Sequence, residues 1–141
     1  MKPGKPAVIG RLGGCAVLCL PGNPGAALVT WMALGGAMLA AMAGRSFGVE
    51  AVARYPSVSH HVRSPGRREF VPARIVEGPG GPALQIIAKA GSGRILPLVE
   101  ADGFADLAAG TADLRPGDLV PFHSFAAGTE AWSHAPGVRG R

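Results

Sequence analysis

Three short stretches of this chain combine residue types that can hold an anion. Lys2-Pro3-Gly4-Lys5-Pro6 brackets a Pro-Gly turn with two lysines, so both ammonium groups can face one locus and act as point charges on an oxyanion. Leu20-Pro21-Gly22-Asn23-Pro24 follows an apolar strand-like run and precedes a long apolar segment. A strand-to-helix junction of this kind puts free N–H groups and the positive end of a helix dipole where an anion can sit. Gly91-Ser92-Gly93 lets backbone and one hydroxyl approach a ligand closely. Taken singly, the first is also a solvated basic terminus, the second an efficient turn, and the third a plain loop. No residue is placed as a nucleophile or as a general acid or base.

The elements that would position these residues can be read from the pattern. No charged side chain occurs from Leu12 to Gly44, a length that invites a transmembrane reading. Pro21-Gly22-Asn23-Pro24-Gly25 breaks the run. The expectation is a strand over Cys15–Leu20, a turn, and a helix from about Pro24 to Ala43. Asn23 is the expected N-cap and Pro24 the first helical residue, where its missing N–H costs nothing. Gly44 suits the position just past the helix end. That helix is apolar on nearly every face, so it is expected to be buried on several sides or to face a partner. Gly35 and Gly36 each weaken a helix interior by roughly 1 kcal/mol relative to alanine.

Beyond Arg45 the chain changes character. Val49–Arg54, Val58–Arg63, Phe70–Val76, Ala83–Lys89 and Leu119–His123 are short β-leaning runs. Turn-rich separators divide them, among them Gly78-Pro79-Gly80-Gly81-Pro82 and Arg115-Pro116-Gly117-Asp118. Regular short strands with such turns predict a small barrel or sandwich. The stretch Gly93–Ala101 predicts a short helix ahead of a further strand. After about Ala126 no pattern remains, which predicts a frayed tail.

Composition bounds the function. The 141 residues are 48% hydrophobic but only 6% aromatic, with 22 glycines and 13 prolines, so a packed core of small aliphatics with many turns is expected. The net charge of +5 suits phosphates and other anions. The basic residues are scattered and no aromatics interleave with them, which argues against nucleic acid. Cys15 and Cys19 lack the companions of a disulfide framework or zinc site. Four apart on a strand they share a face, so they are expected to be two small core residues in a reducing cytosol. The opening residues do not have the form of a signal peptide. His60, His61, His123 and His134 are expected to be solvated.

Together these stretches resemble the molybdopterin molybdotransferases, the MoeA and gephyrin E-domain family. Lys2–Pro6, Gly10-Arg11-Leu12-Gly13-Gly14, Leu20–Pro24 and Ala27-Leu28-Val29-Thr30 match the order and spacing of that family's molybdopterin-binding domain. Gly66-Arg67-Arg68-Glu69-Phe70 with Ala73-Arg74, then Gly91–Gly93, Leu98, Ala101-Asp102-Gly103 and Gly117-Asp118 are similar to its small C-terminal β domain. The resemblance runs from Met1 to about Phe125. It implies three segments: 1–46 as the strand–helix remnant of an α/β molybdopterin-binding domain, 47–125 as a small all-β barrel like the family's domain IV, and 126–141 as a disordered tail.

The resemblance also implies an activity. Family members take adenylylated molybdopterin and molybdate, release AMP and leave molybdenum on the dithiolene sulfurs, with Mg²⁺ assisting, in the cytoplasm. Lys2 and Lys5 would hold molybdate or phosphate, Pro21 and Pro24 would shape the pocket floor, Asn23 would orient the turn, and Ser92 would line the cleft. There are departures. The family's arginine two residues after the phenylalanine is Pro72 here, with Arg74 two residues further on. The family's acidic metal ligands and its Gly-Gly-x-Ser-x-Gly loop have no counterpart in this chain, and Asp102, Asp106, Asp113 and Asp118 fall elsewhere in the pattern. The chain is therefore expected not to work alone. It would serve as part of a homodimer or with a complementary subunit, or as a non-catalytic domain docked on a partner carrying the other half of the site. An apolar strand and helix would otherwise be exposed in the first 46 residues. A third expectation, a membrane anchor over Leu28–Ala43, rests on apolarity alone.

Overall fold

The computed structural model describes residues 7–45, 52–63, 66–87, 95–110 and 112–126. The apolar first part opens with an antiparallel hairpin, β1 (Val8–Leu12) and β2 (Cys15–Cys19), in the register Val8↔Cys19 to Leu12↔Cys15. The sequence pattern gave β2 but not β1. Both strands are exposed along almost their whole length, with only Leu18 half-buried. Cys15 and Cys19 are consequently exposed free thiols rather than core residues. The shared-face argument failed because nothing among the described residues covers that face of a two-stranded sheet.

A continuous helical segment follows: α1 (Pro24–Thr30), a π-helical turn (Trp31–Gly35) and α2 (Gly36–Met42). Its ends obey the capping chemistry expected from sequence. Asn23 takes an extended backbone, and its Oδ1 accepts the Ala26 N–H at 3.1 Å. At the far end Gly44 adopts φ +66°. Gly44 N–H then donates to Ala41 O at 3.1 Å, and Arg45 N–H to Ala40 O at 2.8 Å. These two bonds satisfy the last carbonyls in a Schellman arrangement. The π turn has a local cause in packing. The Trp31 ring lies so close over Gly35 that a Cβ there would be 2.3 Å from the indole. Gly35, costly by propensity in a helix interior, thus makes room for one aromatic side chain. The helix buries Gly25, Val29, Thr30 and Gly35 but leaves Trp31, Leu34 and Met42 exposed, beside exposed Val8, Ile9, Leu12 and Val17 of the hairpin. Pro24–Met42 is long and apolar enough to cross a membrane by length and composition.

The second part is a five-stranded antiparallel sheet of β3 (Ala53–Pro56), β4 (Glu69–Gly78), β5 (Gly81–Ile86), β6 (Gly103–Leu107) and β7 (Leu119–Ser124) in the order β3-β7-β6-β4-β5. The single-turn helix α3 (Leu96–Val99) precedes β6. The sheet curls into a half-barrel, because the segment after β3 comes back to β5. Ser57 bridges Leu84, Val58 N–H donates to Leu84 O at 2.9 Å, and Ile86 N–H donates to Ser59 Oγ at 3.0 Å. These contacts cover a strand edge that would otherwise offer unpaired groups. Alternate residues of the strands fill the concave side: Val71, Ala73, Leu84, Ile86, Ala105, Leu107, Val120 and Phe122, with Leu114 from a loop. On the other face Phe104 is buried against Phe125, edge to face at 5.1 Å.

The run Val58–Arg63 is not a strand. The Ser57 hydroxyl donates to Ser59 O and accepts the Ser59 N–H, a local loop that competes with ladder bonding. Only His61 pairs, as an isolated bridge with Leu114. Arg63 then anchors this segment although it is only 8% exposed. Its Nη1 donates to Ala108 O at 2.7 Å, its Nη2 to Arg67 O, and its backbone N–H to Asp113 Oδ1 at 3.0 Å. The buried Nε has no partner among the described residues.

β6 lies at the centre of the sheet, and every one of its residues is buried. A Cβ added at Gly103 would be 2.2 Å from the carbonyl oxygen of His123 on β7. Backbone cannot yield as a side chain can, so Gly103→Ala is expected to lower unfolding free energy by about 2–3 kcal/mol, the overpacking range. Urea unfolding of the two proteins measures it. A loss below about 0.5 kcal/mol would show that β6 and β7 can part without cost.

Candidate functional site

The residues singled out from sequence divide between described and undescribed positions. Lys2, Lys5 and Ser92 lie outside the described residues. Pro21, Asn23 and Pro24 form the junction between β2 and α1, with Pro21 buried, Asn23 half-buried and Pro24 exposed. The Asn23 side chain is occupied by capping, and its carbonyl accepts Ala27 N–H at 2.8 Å. Pro24 contributes no N–H. Gly25 is buried, so what the junction still presents is the Asn23 amide nitrogen and the positive end of the helix dipole, with no acidic residue in the first turn. That is a cradle suited to an oxyanion. No group of three or more His, Cys, Asp or Glu side chains among the described residues is arranged to hold a metal ion. The Mg²⁺ implied by the resemblance therefore finds no fitting ligand set among them.

A second constellation was not foreseen. Asp106 on β6 is 7% exposed and faces the convex side of the sheet. Arg68, just before β4, meets it with two bonds, Nε–Oδ1 at 2.7 Å and Nη2–Oδ2 at 2.5 Å. His123 on β7 approaches the same Oδ2 with Nε2 at 3.2 Å. The Arg68 guanidinium also lies 5.1 Å from the centre of the Phe70 ring, which itself packs on His123 at 5.7 Å. Burial pushes the Asp106 carboxyl up, but the Arg68 and His123 hydrogen bonds outweigh it and hold it below the ordinary value of 3.8. The bond to Asp106 raises the Arg68 guanidinium. Asp106 could have been suspected from sequence. An aspartate in the otherwise apolar run Gly103-Phe104-Ala105-Asp106-Leu107 must find a cation once the strand is buried.

The histidines also depart from the solvated expectation. His123 is 30% exposed and bound to Asp106. His61 is half-buried, and burial, aided by nearby Arg63, lowers its imidazole below 6.5 against the opposing pull of Glu69 and Asp113. His60 is exposed, and His134 lies outside the described residues.

Pro72 sits within β4, opposite Phe104, and Arg74 lies two residues along on the same face. Arg74 is exposed, and its Nε donates to Gln85 Oε1 at 2.8 Å. The guanidinium that sequence offers in place of Pro72 is thus displaced by about 7 Å along the strand.

Comparison with families places residues 60–125 in the MoeA C-terminal region (domain IV). Among solved structures, the chain is similar to a molybdopterin biosynthesis MoeA protein from Pyrococcus horikoshii. That likeness has 31% identity and a TM-score of 0.65 over 87% of this chain and 29% of the other. A second structure of the molybdopterin biosynthesis MoeA protein from Pyrococcus horikoshii OT3 matches at 21% identity and a TM-score of 0.65, covering 88% of this chain and 30% of the other, and supports the fold. The chain thus spans under a third of the length of these relatives. Comparison with curated protein sequences gives no match.

The Asp106 cluster makes stability depend on pH with a definite sign. A carboxyl whose folded pKa is depressed contributes stability above its unfolded value, and loses it as pH falls through the folded value. Lowering the pH below about 4 should therefore destabilise the native chain more steeply than Asp106→Asn, because the variant has no such carboxyl to protonate. At neutral pH the variant should be less stable by about 1–3 kcal/mol, the range for hydrogen bonds to a charged group. Denaturant midpoints between pH 3 and 7 read both effects. Parallel curves would mean that the ion pair contributes nothing.

Proposed function

From the premise that this chain carries the C-terminal portion of the MoeA family, we propose that it takes part in molybdenum cofactor biosynthesis. The step is the insertion of molybdate into adenylylated molybdopterin with release of AMP. The observation that supports this reading most directly is the Asn23-capped junction between β2 and α1, an anion cradle lying within the Leu20–Pro24 stretch that the resemblance singles out. Molybdate and the pterin phosphate are both anions, so charge neutralisation is the chemistry required.

In this reading Lys2 holds an oxyanion as a point charge, and Lys5 supports it. Pro21 and Pro24 fix the floor and the helix entry, and Asn23 keeps the turn in register by capping. Ser92 contributes a hydroxyl from the C-terminal domain. A divalent ion, when bound, would neutralise phosphate and molybdate oxygens. Its ligands come from a part of the site that the described residues do not supply. The hairpin and helix represent a strand–helix piece of the α/β domain, and their exposed apolar side chains are the surface on which the rest of that domain packs. In this reading the chain acts as a homodimer or with a complementary subunit, and only the latter could bring the acidic ligands. A cytoplasmic location follows from the cofactor chemistry.

The same exposed surface favours one further reading, a non-catalytic domain that docks on a partner bearing the whole active half. One experiment separates the two. The chain is incubated with adenylylated molybdopterin, molybdate and Mg²⁺, alone and with the amino-terminal two-thirds of a MoeA relative, and AMP release is followed. The proposal expects no turnover alone and turnover in the mixture, lowered at least about tenfold by Lys2→Ala, the scale on which a single charge contact of about 1.4 kcal/mol acts. Turnover indifferent to Lys2→Ala and Asn23→Ala would favour the docking role. Turnover by the chain alone would refute the need for a companion.

A further inference from the structure

An open cleft of about 870 Å³ lies beside the Asp106 cluster, between β3, the end of β6, the loop after it and the start of β7. Behind it lie the core residues Leu107, Leu114 and Val120, the apolar side chains open to it are Leu119 and Pro121, and its walls carry Arg54, Arg68 and Arg115. Asp106, Asp113 and Asp118 also line it, so by count its charges cancel. Cancellation by count is not pairing, because none of these carboxylates is bonded to Arg54 or to the Arg115 guanidinium. Asp106 is taken up by Arg68 and His123, Asp113 accepts the backbone N–H of Arg63 at 3.0 Å, and Asp118 accepts the backbone N–H of Arg115 at 2.8 Å. The guanidinium groups of Arg54 and Arg115 make no hydrogen bond or ion pair with any described residue. Both arginines stand on fixed backbone. Arg54 pairs with Pro121 in the β3–β7 ladder, and Arg115 opens a turn closed by Asp118 N–H to Arg115 O at 3.1 Å.

We propose that this cleft binds a small organic anion, its apolar body against Leu119 and Pro121 and its phosphate or carboxylate group held by Arg54 and Arg115. The guanidinium fork matches the oxygens of either group with two parallel bonds. The volume is that of a small-molecule site, typically about 300–1,000 Å³. A nucleic-acid strand fits poorly, because no aromatic side chain lines the cleft for bases to stack on. A metal cation fits poorly too, since each carboxylate already faces a donor. This inference does not rest on the molybdate reading, and neither fails with the other.

The test is an amide chemical-shift titration of the full chain with phenyl phosphate, benzoate, inorganic phosphate and phenol. The expected result is saturable binding of phenyl phosphate or benzoate, with shifts centred on Arg54, Leu107, Leu114, Arg115 and Val120. Inorganic phosphate and phenol, each lacking half of the recognised chemistry, should bind at least about tenfold more weakly. The stronger of the first two identifies the anionic group. The double variant Arg54→Gln/Arg115→Gln should weaken that binding at least about tenfold with the sheet's dispersed spectrum intact, while Arg74→Gln, outside the cleft, should leave it unchanged. Equal binding by the double variant, shifts that map elsewhere, or phenol binding as tightly as its charged analogues would overturn the proposal.

Discussion

A carboxylate stands in a strand that has no solvent-facing residue. β6 is buried from Gly103 to Leu107, yet its fourth residue is Asp106. An unpaired charge there would cost several kcal/mol, so the sheet is tenable only if cations reach it. Arg68 does so from the segment leading into β4, and His123 does so from β7. The three groups therefore span the three central strands, and the pairing register is tied to an electrostatic requirement as well as to apolar alternation. Sliding β4 by one residue against β6 would turn Val71 and Ala73 outward and carry Arg68 away from Asp106. One interaction thus reinforces the register that the core already prefers.

Arg63 applies the same logic to loops. Its guanidinium is buried without an acidic partner among the described residues, and it donates to the carbonyls of Ala108 and Arg67 instead. The segment entering β4 and the segment leaving β6 are held together by one side chain, while the backbone N–H of the same residue donates to Asp113. The hairpin and helix of the first part have no comparable device. A two-stranded sheet is marginal by itself in water, and this one exposes Val8, Ile9, Leu12 and Val17. The contrast has a physical meaning. The curled sheet meets its own burial and pairing requirements, whereas the hairpin and helix leave theirs to whatever packs on them.

Much of this was legible in the sequence, and each failure has its own physical cause. The helix limits followed from Asn23, Pro24 and Gly44, because caps are local chemistry. β4, β5 and β7 followed from alternation between glycine- and proline-rich turns. The bounds of β6 did not, because a strand buried on both faces has no alternation to display. Val58–Arg63 looked like a strand until the Ser57 and Ser59 side chains were seen to bond the nearby backbone. The burial of Cys15 and Cys19 was misjudged for the opposite reason. Alternation says which residues share a face, but not whether anything covers that face. Of the candidate site, the turn at Leu20–Pro24 was readable as a unit, since its residues are contiguous. The Asp106 cluster was not, since 38 residues separate Arg68 from Asp106 and 17 more lead to His123.

The net charge of +5 says little by itself about where anions go. Arg63 is spent on carbonyls, Arg68 on Asp106 and Arg74 on Gln85. A guanidinium already bonded must give up a partner before it can take a ligand, and the exchange roughly cancels the gain. Affinity for an anion should therefore concentrate where donors are held in place but uncommitted. Two places in the described structure come near that condition: the start of α1, through its helix dipole and the Asn23 amide nitrogen, and the guanidinium groups of Arg54 and Arg115. The first is preorganised by a helix cap and suits a small oxyanion. The second is preorganised by a strand and a turn beside the apolar side chains of Leu119 and Pro121, and suits an anion with a hydrophobic body. The difference in apolar surroundings, more than the difference in charge, is what would let one chain distinguish the two kinds of ligand.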